Sequence, residues 1–147
     1  METTPENLKR LISAGHGYLK NASESDLKRK PSPSKWSKKE ILGHLIDSAI
    51  NNLQRFTEIQ FENKPYIYRP YSQLGLINAN NYQNSDTKEL IDLWLALNKR
   101  ILFIIGQQTE TTLNFMVQLN EGHVSDLRFL INDYVIHLEH HVNQIVK

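Results

Sequence analysis

Apolar residues recur along this chain at helical spacing, in four stretches separated by polar or proline-bearing segments. The first stretch covers roughly Glu6 to Lys20, with Leu8, Leu11, Ile12 and Leu19 on one face. Gly15 and Gly17 weaken its second half, because glycine is a poor helix former. A polar segment with Pro31 and Pro33 breaks the pattern. The second helix is announced by Ser37 and Glu40, whose spacing is that of a capping box, and it runs to about Phe61. The third begins near Asp86, where Glu89 repeats that spacing, and it runs to about Ile105, burying Leu90, Trp94, Leu97, Ile101 and Ile104. The fourth runs from near Ser125 to about Ile145. No stretch shows the two-residue alternation of a strand.

Four amphipathic helices of this length predict an all-α fold, a four-helix bundle. The connections are unequal. About twenty-four residues separate the second helix from the third, against a usual handful. A crossover of that length can return the chain along the bundle and set these two helices parallel. It holds Tyr66, Tyr68, Tyr71 and Tyr82 with Pro65 and Pro70. It reads either as an ordered surface loop or as a partial cover over a pocket. At 147 residues the chain is expected to form one domain, 1–147.

Charge and composition narrow the classes. The formal net charge of +1 gives no electrostatic reason to expect nucleic acid. The longest apolar runs are too short for a membrane span, and the polar, acidic start is unlike a signal peptide. A cytoplasmic location is therefore expected. With no cysteine in the chain, a metal would have to be held by nitrogen and oxygen.

Histidines supply the candidate chemistry. His137 and His141 are four residues apart, which on a helix puts two imidazoles on one face with Cβ atoms ~5–6 Å apart. That suits two ligands of one divalent ion at ~2.0–2.1 Å. On a wheel advancing ~100° per residue, His141 falls ~40° from His137, inside the apolar arc, while His140 falls at about −60°, outside it. His44 lies at the edge of the apolar arc of the second helix, followed along that edge by Ser48 and Arg55. If the second and fourth helices are antiparallel, His44, His137 and His141 share one end of the bundle, near the close of the crossover at Tyr82. The segment His137-Leu138-Glu139-His140-His141 is not the two-histidine zinc-protease motif, and Glu139 points away from the pair.

Three motifs carry a family likeness: Trp36-Ser37, Gly43-His44-Leu45-Ile46-Asp47, and a closing His137-x-x-x-His141-x-x-Gln144-Ile145. Together they resemble the DinB/YfiT-like superfamily, over nearly the whole chain. The resemblance implies a four-helix bundle with a long crossover after the second helix. It also implies a divalent metal, nickel or zinc, on His44, His137 and His141. It further implies a metal-dependent hydrolase, or a transferase using a low-molecular-weight thiol as cosubstrate, with a small-molecule substrate and a homodimer as the assembly. An open three-histidine ion serves water and thiol alike. The alternatives are a non-catalytic metal- or ligand-binding bundle and a helical dimerisation module. Asp47 and Asp133, each one turn from a histidine, are the candidate general bases. For both, a partner orienting its histidine or a solvated carboxylate competes with that role. Arg55 reads as a surface salt bridge, and Trp36 as packing beneath the start of the second helix.

Overall fold

A computed structural model describes residues 2–147. Helix α1 spans Thr4–Asn21, opened by a reciprocal capping box of Thr3 and Glu6 with Pro5 in its first turn. Its two glycines do not interrupt it. At Gly15 an added Cβ would sit 2.7 Å from the edge of Trp94, so glycine is what admits that indole. A short helix α2, Glu24–Lys28, precedes the proline segment. Helix α3, Lys38–Glu58, starts on the capping box of Ser37 and Glu40. It ends three residues before the boundary expected from sequence. The crossover contains helix α4, Gln73–Asn80, and Asn81 stops it in the left-handed conformation, φ 50°. A single 3₁₀ turn, Tyr82–Asn84, then leads to α5, Thr87–Gly106, which Asp86 caps. After a one-turn helix α6, Glu110–Leu113, the chain enters α7, Leu127–Ile145, capped by Asp126 and so starting two residues after Ser125.

The expectation of no strands fails. Strand β1, Tyr66–Ile67, pairs in parallel with β2, Met116–Gln118, which pairs antiparallel with β3, Val124–Asp126. Segments of two and three residues are too short to display alternation, and their pairing is non-local. The sheet ties the start of the crossover to the segment entering α7, and the Tyr68 N–H extends it onto the Gln118 carbonyl at 3.0 Å.

Four long helices make the bundle. α1 and α3 each pack against both α5 and α7. Thr4 meets Asn132 and Arg10 meets Glu139, so α1 and α7 are parallel. Gly15 meets Trp94, and Pro5 lies near Ile105, so α5 opposes α1. His44 near the start of α3 meets His137 late in α7, so α3 opposes α7. It follows that α3 and α5 run parallel, as a long crossover allows. The core is closed by Trp94, Phe56, Leu8, Leu42, Leu45, Ile101 and Leu138. Among the described residues no helix is long and apolar enough to cross a membrane.

Candidate metal centre

Helix phase and helix direction bring His44, His137 and His141 to one place. Each offers one ring nitrogen, and these three atoms lie within 4.8 Å of one another. Nε2 of His44 faces Nε2 of His137 at 3.0 Å. The ring centroids are separated by 4.9, 4.7 and 4.5 Å around the triangle. His140 is exposed and lies outside this set. His44 was placed by sequence at an edge of its helix, yet it is only 1% exposed. The crossover and the segment before α3 cover that edge. Trp36 is half-buried with its ring 5.1 Å from His44, and Tyr82 lies against Gly43.

Burial is the main cause of the electrostatics. It disfavours the imidazolium form, and the neighbouring imidazoles add to this, pushing His44 and His137 down to about 4. His141 is also lowered, chiefly by burial, against an opposing hydrogen bond to Gln144. All three rings are therefore neutral near pH 7, with a lone pair on each. Gln144 Oε1 accepts from His141 Nδ1 at 2.7 Å. An amide oxygen only accepts, so Nδ1 carries the hydrogen and Nε2 keeps its lone pair. The i, i+3 spacing of His141 and Gln144 is legible in the sequence, whereas the contact of the amide with the ring depends on side-chain rotamers that the spacing does not set. Two ligands of one ion at ~2.0–2.1 Å lie about 3 Å apart when they occupy neighbouring positions. The donor set and the His44–His137 separation therefore fit one divalent ion.

The carboxylates are placed differently. Asp47 is buried and lies outside the nitrogen cluster. Its Oδ1 accepts from the Tyr82 hydroxyl at 2.5 Å, its Oδ2 has no protein partner, and burial pushes its carboxyl up. Asp133 is exposed and lines a cavity with His137. That cavity, about 250 Å³, is walled by Ser48, Asn52, Arg55, Tyr68 and Tyr71. A second cavity, about 470 Å³, reaches His141 and Gln144 past Trp36, Arg29, Lys35 and Lys38. The surface salt bridge read for Arg55 is not found. The residue is buried, because Tyr68 and Tyr71 of the crossover lie over the polar side of α3.

Parallel α3 and α5 joined by a long crossover, with three histidines gathered between α3 and α7, define a class of four-helix bundles. The sequence profile of the DinB superfamily matches residues 7–145, and the chain belongs to that family. YfiT from Bacillus subtilis, described as "a probable metal-dependent hydrolase with an unusual four-helix bundle topology", superposes with a TM-score of 0.85 at 20% identity, covering 97% of this chain and 81% of YfiT. A mycothiol-dependent maleylpyruvate isomerase superposes with a TM-score of 0.75 at 12% identity. This chain spans 59% of the isomerase's length, with 97% of its own covered. A DinB-like protein from Bacillus cereus gives a TM-score of 0.62 at 15% identity, covering 92% of this chain and 81% of that one. At these identities the likeness is one of fold. No curated protein matches the chain.

Proposed function

We propose that His44, His137 and His141 hold one divalent ion, nickel or zinc, and that the protein is a metal-dependent enzyme acting on a small molecule. The observation carrying this is the meeting of three neutral imidazoles, two of them nitrogen to nitrogen at 3.0 Å. The ion would supply Lewis acidity, which lowers the pKa of a water or of a thiol. The chain's own residues supply the rest. Burial keeps the ligating nitrogens unprotonated, and Gln144 holds His141 in one tautomer. Asp133 is the better placed of the two carboxylates to take up a proton, being exposed in the cavity that His137 lines. Asp47 instead accepts from Tyr82.

Two cavities favour thiol transfer over hydrolysis. One reaches His141 and the other His137. Water needs no second cavity, whereas a thiol cosubstrate and an electrophile each need one. The larger, with Arg29, Lys35 and Lys38 on its wall, suits the thiol carrier. This reading presupposes the cytoplasmic setting expected above.

The test begins with metal content. Protein purified without a histidine tag should carry close to one nickel or zinc per chain by elemental analysis. His141→Ala should lose most of it, and His140→Ala should keep it. Absence of stoichiometric metal in the parent protein ends the proposal. With metal present, turnover of a small electrophile only when a thiol donor is added selects transfer, and turnover in water alone selects hydrolysis.

A further inference from the structure

Arg55 is a buried charge with no part in the metal centre. It is only 5% exposed, and it lines the cavity that His137 also lines. A guanidinium does not lose its proton in a protein, and charges withdrawn from water are ordinarily paired. No carboxylate among the described residues forms an ion pair with Arg55. Its partners are neutral. Nη2 donates to the Arg69 carbonyl at 2.6 Å, and Nη1 donates to Asn52 Oδ1 at 3.4 Å.

The nearby acids are engaged elsewhere or stand apart. Glu58 accepts from the Tyr66 hydroxyl at 2.8 Å, and Asp47 accepts from Tyr82. Asp133, on α7, lines the same cavity but makes no ion pair with Arg55. Two tyrosines of the crossover lie against the guanidinium, with Cζ 4.1 Å from the Tyr68 ring centroid and 5.4 Å from that of Tyr71. Such stacking leaves the planar edge for hydrogen bonding, and two of the five N–H donors are taken by Arg69 and Asn52. Ser48, Asn52 and Tyr71 complete a neutral polar wall around it.

We infer that Arg55 is the carboxylate-binding residue of the small cavity, seating a small organic acid whose far end is directed to His137. A planar carboxylate matches the guanidinium edge with two parallel hydrogen bonds. A single negative charge also suits a cavity that already holds Asp133, where a phosphate dianion would meet stronger repulsion. That the acid is a substrate rests on the function proposed above. That Arg55 binds a carboxylate does not.

The test uses benzoate as the probe, benzamide as its neutral counterpart, and inorganic phosphate, on the full chain with and without its metal. The readout is the Arg55 side-chain Nε–H resonance, identified by its absence in Arg55→Lys. Benzoate should move it saturably, and benzamide should not. Arg55→Gln should weaken benzoate ~100-fold, and Arg55→Lys less, because charge remains but the paired donors do not. The titration of the parent protein stands even if a variant folds poorly. A resonance unmoved by benzoate, moved equally by benzamide, or moved by phosphate alone overturns the inference. Metal content measured on the same samples separates the two proposals. Benzoate bound at Arg55 in protein that carries no metal as purified refutes the centre alone, and metal without a benzoate response refutes the Arg55 assignment alone.

Discussion

Gly43 and Gly17 make a matched pair for testing the packing beside the histidines. Replacing a mid-helix glycine with alanine ordinarily stabilises by ~1 kcal/mol, through helix propensity and backbone entropy. At Gly17 an added Cβ meets nothing within 4 Å, so that gain should appear undiminished. At Gly43 the Cβ would fall 2.1 Å from Cδ2 of Tyr82, 2.3 Å from Cγ and 2.7 Å from Cε2. Carbon contacts settle at ~3.5–4.0 Å, so the ring has to retreat by roughly 1.5 Å. Tyr82 is buried at the start of its 3₁₀ turn, and its hydroxyl donates to Asp47 Oδ1 at 2.5 Å. Retreat opens that bond. Asp47, whose Oδ2 already lacks a partner, is then left buried with none. A stranded buried acceptor costs ~1–3 kcal/mol, and overpacking a further ~1–3 kcal/mol. After the helix gain, Gly43→Ala should lose ~1–5 kcal/mol, a fall in Tm of roughly 10 °C at the middle of that range for a chain of this size. Gly17→Ala should rise by a few degrees. Thermal and urea unfolding followed by circular dichroism reads both. In a Tyr82→Ala background the clash is gone, and Gly43→Ala should turn stabilising. A stable Gly43→Ala, or a loss that persists without the tyrosine ring, would refute the reasoning.

Acid should destabilise the metal-free protein in a defined window. An unfolded histidine takes its proton near 6.5, whereas His44 and His137 resist it in the fold until about 4. Between those values the unfolded chain binds protons that the native chain refuses, so stability is full above about pH 7, falls as pH drops towards 4 and then levels. For His44, nearly devoid of exposure, the window is worth ~3 kcal/mol. Urea midpoints at several pH values check it. A midpoint flat or rising on acidification, or a slope unchanged in His44→Gln, contradicts it. Gln144→Ala should weaken the ion ~10–100-fold by releasing the His141 tautomer, measured by competition with a chelating dye. Unchanged affinity would leave Gln144 without an orienting role.

What the sequence disclosed follows local rules. Ser37 with Glu40, and Asp86 at the third helix, are caps written within four residues of the helices they start. The phase that turns His137 and His141 inward and leaves His140 exposed is likewise local. The level of His44 needed only helix direction, which the long crossover supplied. Beyond shifts of two or three residues at helix ends, the failures are non-local. Three strands of two or three residues exist because distant segments meet. Arg55 and Ser48 were read as a polar edge, which an isolated helix would present to water. They are buried because the crossover lies over them. That division has a functional consequence. The imidazoles are set by α3 and α7, so changes within the crossover can alter what the small cavity accepts without disturbing the nitrogen triangle. Tyr68 and Tyr71, which stack on Arg55 and contribute no donor to that triangle, are where selectivity can change while the metal set persists. Tyr82 belongs to the other side of the division. It is on the crossover, yet it packs on Gly43 and holds Asp47, so its loss reaches the turn that carries His44.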